Sequence, residues 1–183
     1  MDPITQFDFS ILHFIHDNIS CGFMDFLMPK VTWLTEMGAV WLLAAALFLI
    51  FRCYRASVAI AGGILASLLF GNLLLKHIVA RERPCWLEPT FQMLIAVPHD
   101  YSFPSAHSMV SFAAAVAIFH YNKKAGIPAL VIAALIAFSR LYLFVHFPTD
   151  VLVGILMGIG LGIAAFVITD NVADRINRKK IKG

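Results

Sequence analysis

VLVGILMGIGLGIAAFVIT, residues 151–169, runs for nineteen residues without a charged side chain. At about 1.5 Å of rise per residue, a helix of that length crosses the hydrocarbon of a bilayer. A second such run, 56–75, is twenty residues long. Residues 105–119 and 125–145 read as two more spans, the latter with Arg140 near its end. Residues 37–51 are apolar but slightly short, and are expected to borrow a turn or more from 26–36. The expected fold is therefore all-α, a polytopic membrane helix bundle with five transmembrane helices. Composition agrees with this. The chain of 183 residues is 60% hydrophobic and 14% charged, more apolar surface than a soluble domain of that length can bury.

The segment 4–19 is different. Asp8, His13, His16 and Asp17 interrupt it, while Ile4, Phe7, Ile11, Phe14 and Ile15 recur at helical spacing. It reads as an amphipathic helix lying in the interface, within 1–22. A sixth transmembrane helix is the alternative, and it would carry two aspartates into or beside hydrocarbon. Residues 80–103, with Pro84, Pro89 and Pro98, make one long connection. It is expected as an outer loop with a short helix, placed to act as a lid. The tail 174–183 is basic and suits an anionic cytoplasmic leaflet. All of 1–183 reads as a single membrane domain. No basic stretch precedes an apolar run at the N-terminus, so the first span, and no cleaved leader, is expected to direct insertion.

Loop charges orient the bundle. Arg52 and Arg55, Lys123 and Lys124, and the tail from Arg175 to Lys182 fall on one side when spans alternate. That side is expected to be cytoplasmic, with the C-terminus. Lys76, Arg83 and Arg140 then face the extracytoplasmic side. A formal charge of +3 does not suggest a nucleic-acid partner. Cys21, Cys53 and Cys85 lack metal-ligand spacing, and a Cys21–Cys85 disulfide is open by topology. Trp33, Trp86, Tyr101 and Tyr142 fall near the expected interfaces, as an aromatic belt does. Gly154, Gly158 and Gly162, and likewise Ala129, Ala133 and Ala137, form stripes of small residues that let membrane helices approach closely. Asp150 and Arg140 continue those stripes, so both are expected to point into the bundle.

Three clusters carry the chemistry. They are Lys76 to Arg83-Pro84 (K-x6-R-P), Pro104-Ser105-Ala106-His107 (P-S-A-H), and Ser139-Arg140 with His146 and Asp150 (S-R-x5-H-x3-D). The first N–H groups of a helix begun near Pro104 form an anion site, with the Ser105 hydroxyl beside them. A planar guanidinium at Arg83 can grip two oxyanions. Arg140 inside an apolar helix needs an anionic partner. Asp150, four residues after His146, can hold one ring nitrogen and leave the other as a free lone pair. Taken singly, each cluster also reads as a capping turn, snorkelling cations or a satisfied His–Asp pair. Arg81 matches no motif position and reads as a surface charge.

Together, in order and with their spacing intact, the three clusters resemble the type 2 phosphatidic acid phosphatase (PAP2) family, membrane relatives of the vanadium haloperoxidases. One residue departs from the family pattern: Ala106 stands where glycine is usual. Alanine still offers its N–H, and phosphate binding is expected to survive unless that position needs a positive φ. The resemblance implies catalytic roles for His146 as nucleophile, Asp150 as its orienting carboxylate and His107 as acid and then base. It implies phosphate binding by Lys76, Arg83, Ser105, Ala106 and Arg140. It implies no cofactor, and the carboxylates are too few and scattered for a two-metal site. The substrate implied is a lipid phosphate in the bilayer, such as undecaprenyl diphosphate, phosphatidylglycerol phosphate or phosphatidic acid. Rival readings are a vanadate-dependent haloperoxidase, a transporter or channel, and an inactive PAP2-like scaffold. The spans, the His-x3-Asp spacing and the filled catalytic positions weigh against these in turn. Oligomeric state is not legible in the sequence.

Overall fold

Capping chemistry in the sequence sets where several helices begin. In the computed structural model, which describes residues 2–182, the Asp2 carboxylate accepts from the Thr5 N–H at 3.0 Å and Pro3 opens α1 (Pro3–Ile19). After it come α2 (Gly22–Trp33) and α3 (Ala39–Ile50). Helix α4 (Tyr54–Ser67) continues through a π-helical stretch, Leu68–Leu75, into α5 (Lys76–Val79). A single turn, α6 (Pro84–Leu87), interrupts the long connection that follows. Ser105 caps α7 (Ala106–Tyr121), Asn122 caps α8 (Lys123–Tyr142), and Pro148 starts α9 (Pro148–Lys182). No strand occurs among the described residues.

The stretches Tyr54–Leu87, Lys123–Tyr142 and Pro148–Lys179 are long and apolar enough to cross a membrane, and Ala39–Ile50 and Ala106–Tyr121 are shorter apolar helices. Large apolar side chains face outward along them, including Leu43, Leu47, Val131, Leu152 and Leu156. Such a surface is costly in water and ordinary against lipid. The expected all-α membrane bundle is therefore present. One boundary is corrected. The span 37–51 borrows no α-helical turn from 26–36, because α2 and α3 are separated by a 3₁₀ turn, Glu36–Gly38, with Gly38 at φ +75°. That left-handed backbone is cheap for glycine.

Helix α7 lies at the centre, packed by α4, α8 and α9. Its alanines, with Ile60 and Ile64 of α4 and Ala133 and Ile136 of α8, make the main core. The small stripes do what their spacing predicts. A Cβ on Gly154, Gly158 or Gly162 would lie 2.7, 2.4 or 2.6 Å from the carbonyl oxygens of Ser105, Met109 and Ala113 respectively. Only hydrogen on these α carbons lets the α7 and α9 backbones meet.

A second core joins α1, α2 and the α8–α9 connection through Phe9, Leu12, Ile15, Met28, Phe144 and Phe147. Here the expected stripe of α1 divides. Ile15 is buried, yet Ile4, Phe7 and Phe14 stay more than 60% exposed. The inward face instead carries Asp8, Leu12 and Ile15. Of the expected belt residues, Trp33 is exposed, whereas Tyr142 is buried and donates its hydroxyl to Asp25 at 2.5 Å. Cys21 and Cys85 are free thiols, the first exposed and the second buried.

Candidate active site

Each cluster is delivered by a different local device. The π-helical stretch before Lys76 is the first; such bulges recur at functional sites. It places Asn72 and Lys76 on one cavity wall. Ala80, at φ 47°, then ends the helix, and Arg83 turns inward as the cap of α6, only 2% exposed. From α7 come Ala106 and His107, and from the end of α8 comes Arg140. The α8–α9 connection supplies His146, 1% exposed.

These six residues, Lys76, Arg83, Ala106, His107, Arg140 and His146, line one cavity of about 460 Å³. Ala106 has no positive φ, so alanine sits there without backbone strain and its amide remains in the first turn of α7. Arg140 donates to the Thr32 hydroxyl of α2 at 2.5 Å, and its Nε has no partner. Buried, unsatisfied cationic donors at a cavity wall favour an anion.

Two expected site residues, the phosphate ligand Ser105 and the orienting carboxylate Asp150, stand behind the wall. Ser105 is fully buried, and its hydroxyl pairs with that of Ser108 at 3.0 Å while capping α7. Asp150 is also fully buried. Its Oδ2 accepts from the Phe147 N–H at 2.9 Å and from the Ser102 hydroxyl at 2.5 Å. The His146 Nδ1 lies 3.8 Å from Asp150 Oδ2, beyond hydrogen-bond reach, and 3.3 Å from Ser102 Oγ. The carboxylate thus reaches the ring through the Ser102 hydroxyl rather than directly.

The other ring nitrogen fixes the tautomer. Arg83 Nη1 lies 3.2 Å from His146 Nε2. A guanidinium has no acceptor, so Nε2 accepts and the proton sits on Nδ1, toward Ser102. Burial, with the charges of Arg83 and Arg140 next, pushes the His146 imidazole well below its ordinary range. The ring is therefore neutral near pH 7, with its Nε2 lone pair turned toward Arg83 at the cavity wall.

Sequence reasoning missed three residues here. Asp100 accepts from Lys76 and, at 2.7 Å, from Arg83 Nη2, while its backbone carbonyl takes Arg83 Nε at 2.6 Å. Burial opposes its charge, but the two cations outweigh that and hold its carboxyl well below the usual range. Ser102 bridges His146 and Asp150. Arg81, expected as a surface charge, is corrected: its side chain is 20% exposed and donates to Asp150 at 2.6 Å and to Asp8 at 2.8 Å. All three lie in the irregular stretch around 80–103, where no periodicity reveals which way a side chain faces. Asp8 carried a usable signal, a carboxylate in register with Leu12 and Ile15.

Comparison with known proteins follows the same lines. The PAP2 superfamily profile matches residues 56–174. An undecaprenyl-diphosphatase of Sulfolobus acidocaldarius is 33% identical over 122 residues, 65% of this chain and 58% of that protein. The chain thus spans a little over half the length of that relative. The crystal structure of Aquifex aeolicus LpxE superposes with a TM-score of 0.76 at 26% identity, covering 86% of this chain and 93% of that one. A PAP2-type phosphatidylglycerolphosphate phosphatase from Bacillus subtilis does so with a TM-score of 0.61 at 25% identity, covering 94% and 95%. All three clusters fall inside the matched residues and six of their side chains meet at one cavity, and on these grounds the chain belongs to the PAP2 superfamily.

Proposed function

We propose that this protein is a metal-independent lipid phosphate phosphatase, cleaving a phosphomonoester or diphosphate through a phosphohistidine. The observation that carries this reading is the placement of His146 Nε2, 3.2 Å from Arg83 Nη1, at a cavity lined by Lys76, Arg83 and Arg140. Those cations and the Ala106 amide hold the phosphoryl oxygens, and Ser105 shapes the turn that presents the amide. Nε2 forms a bond to phosphorus as the phosphorus–leaving-oxygen bond breaks, and protonated His107 gives its proton to that oxygen. Asp150, through Ser102, steadies the imidazolium that results. Neutral His107 then takes a proton from water, whose oxygen displaces Nε2 and releases phosphate.

The names of the relatives support a lipid phosphate substrate, undecaprenyl diphosphate or phosphatidylglycerol phosphate, and phosphatidic acid rests on the family resemblance alone. Five spans, with α1 lying along the outer boundary, accommodate the exposed Ile4, Phe7 and Phe14. The pairing of Arg55 with Asp174 at 2.7 Å and of Tyr121 with Asp170 at 3.0 Å gathers the basic loops and the end of α9 at one end of the bundle. The cavity lies at the other. By the positive-inside rule the site is extracytoplasmic and the C-terminus cytoplasmic.

The test is phosphate release by purified protein in detergent across those three lipids, with and without excess chelator and vanadate. Release in chelator and inhibition by vanadate, a mimic of five-coordinate phosphorus, are expected. No release from any lipid phosphate sinks the reading, and activity lost on chelation and restored by metal sinks the metal-free scheme. Asp100 competes with phosphate for Lys76 and Arg83, so Asp100→Asn is expected to lower KM several-fold, as a substrate titration would show.

A further inference from the structure

Behind the cavity, two carboxylates share one guanidinium. Asp8 and Asp150 are both fully buried. Arg81 joins them, donating through Nη1 to Asp150 at 2.6 Å and through Nη2 to Asp8 at 2.8 Å. Its guanidinium carbon is held 4.1 Å from the centre of the Phe147 ring. Asp8 also accepts from the Thr149 N–H at 3.1 Å and from the Thr149 hydroxyl at 2.5 Å. It thus sits on the first turn of α9, where a negative charge is favoured.

A guanidinium alone against Asp150 would cancel the charge that His146 needs when its ring becomes cationic. Two carboxylates around one guanidinium leave a net charge of −1. We propose that Asp8, on the N-terminal helix, is a positioning residue that neutralises Arg81 and so keeps the charge of Asp150 available to His146. The proposal rests on the phosphohistidine reading above. It gives α1 a part in turnover besides packing, although no atom of Asp8 lines the cavity.

The experiment compares Asp8→Asn, Arg81→Met and the double variant, measuring kcat, KM and the thermal midpoint in detergent with whichever lipid phosphate the wild type hydrolyses. Asparagine keeps the shape of Asp8 and its acceptor for the Thr149 N–H. Asp8→Asn is expected to lower kcat roughly 10- to 100-fold, the range for outer-shell partners, with KM within about twofold because the phosphate donors are untouched. Removing Arg81 as well leaves Asp150 uncompensated again, so the double variant is expected to be faster than Asp8→Asn alone. A purely structural clamp predicts the reverse, a double variant slower than either single one. Wild-type kcat in Asp8→Asn, or a folded double variant slower than Asp8→Asn, overturns the proposal. Should the double variant not fold, kcat and KM of Asp8→Asn decide by themselves. A wild type that releases no phosphate defeats the phosphatase reading instead, so the two failures are distinct.

Discussion

His146→Ala is expected to abolish phosphate release, by roughly 10⁴-fold or more, the scale seen when a covalent nucleophile is removed, while the protein still inserts and melts near the wild-type temperature. The first part follows from geometry. Among the described residues, His146 Nε2 is the one imidazole nitrogen placed to accept from a motif arginine, at 3.2 Å from Arg83 Nη1. The second part follows from what remains. Arg83 keeps Asp100 and the Val145 carbonyl, the latter at 2.6 Å, so no buried charge is left unpaired. Asp150 keeps Ser102, the Phe147 amide and Arg81. Two measurements check this, steady-state phosphate release and trapping of an acid-labile phosphoenzyme from labelled substrate. Turnover near wild type in the alanine variant would remove His146 from the role of nucleophile.

The site divides cleanly into what the sequence shows and what it hides. Lys76, His107 and Arg140 were legible because ionisable groups at the ends of apolar helices are costly, and such residues stand out against their surroundings. Arg83 and His146 lie in connections and were legible only through the spacings K-x6-R-P and S-R-x5-H-x3-D. The glycine stripe was legible as a regular pattern in a regular element. Asp100 and Ser102 sit in backbone without a period, so their inward direction follows only from tertiary contacts. The Arg81 partner Asp8 lies 73 residues away in sequence, and no local pattern connects them. Tyr142 is not a belt residue, but an aromatic ring at an interface and one capping a buried core look alike in sequence until the carboxylate of Asp25 is seen against the hydroxyl. The break between α2 and α3 turns on the positive φ of Gly38, and composition around it is apolar on both sides.

Gly158→Ala is expected to lower kcat on the order of 10²-fold, with a destabilisation of about 1–3 kcal/mol from overpacking. A Cβ at that position would stand 2.4 Å from the Met109 carbonyl oxygen and 3.1 Å from its Cα. Both atoms are backbone within a helix, so no side chain can swing aside. Helices α7 and α9 must move apart by about 1 Å to restore ordinary contact. That movement reaches the chemistry, because α7 carries His107 in its first turn while α9 carries Asp150 in its own, with His146 two residues before Pro148. The proposed acid, His107, and the proposed nucleophile, His146, are held in register by this seam, and a 1 Å misplacement of reacting groups costs about that factor in rate. Gly160, two residues along the same helix, has nothing within 4 Å of its would-be Cβ. Gly160→Ala should therefore leave kcat unchanged and slightly favour the helix. Purified in parallel, the two variants separate interhelical distance from helix propensity. If Gly158→Ala turned over as fast as Gly160→Ala, the close seam would have no hold on the catalytic geometry.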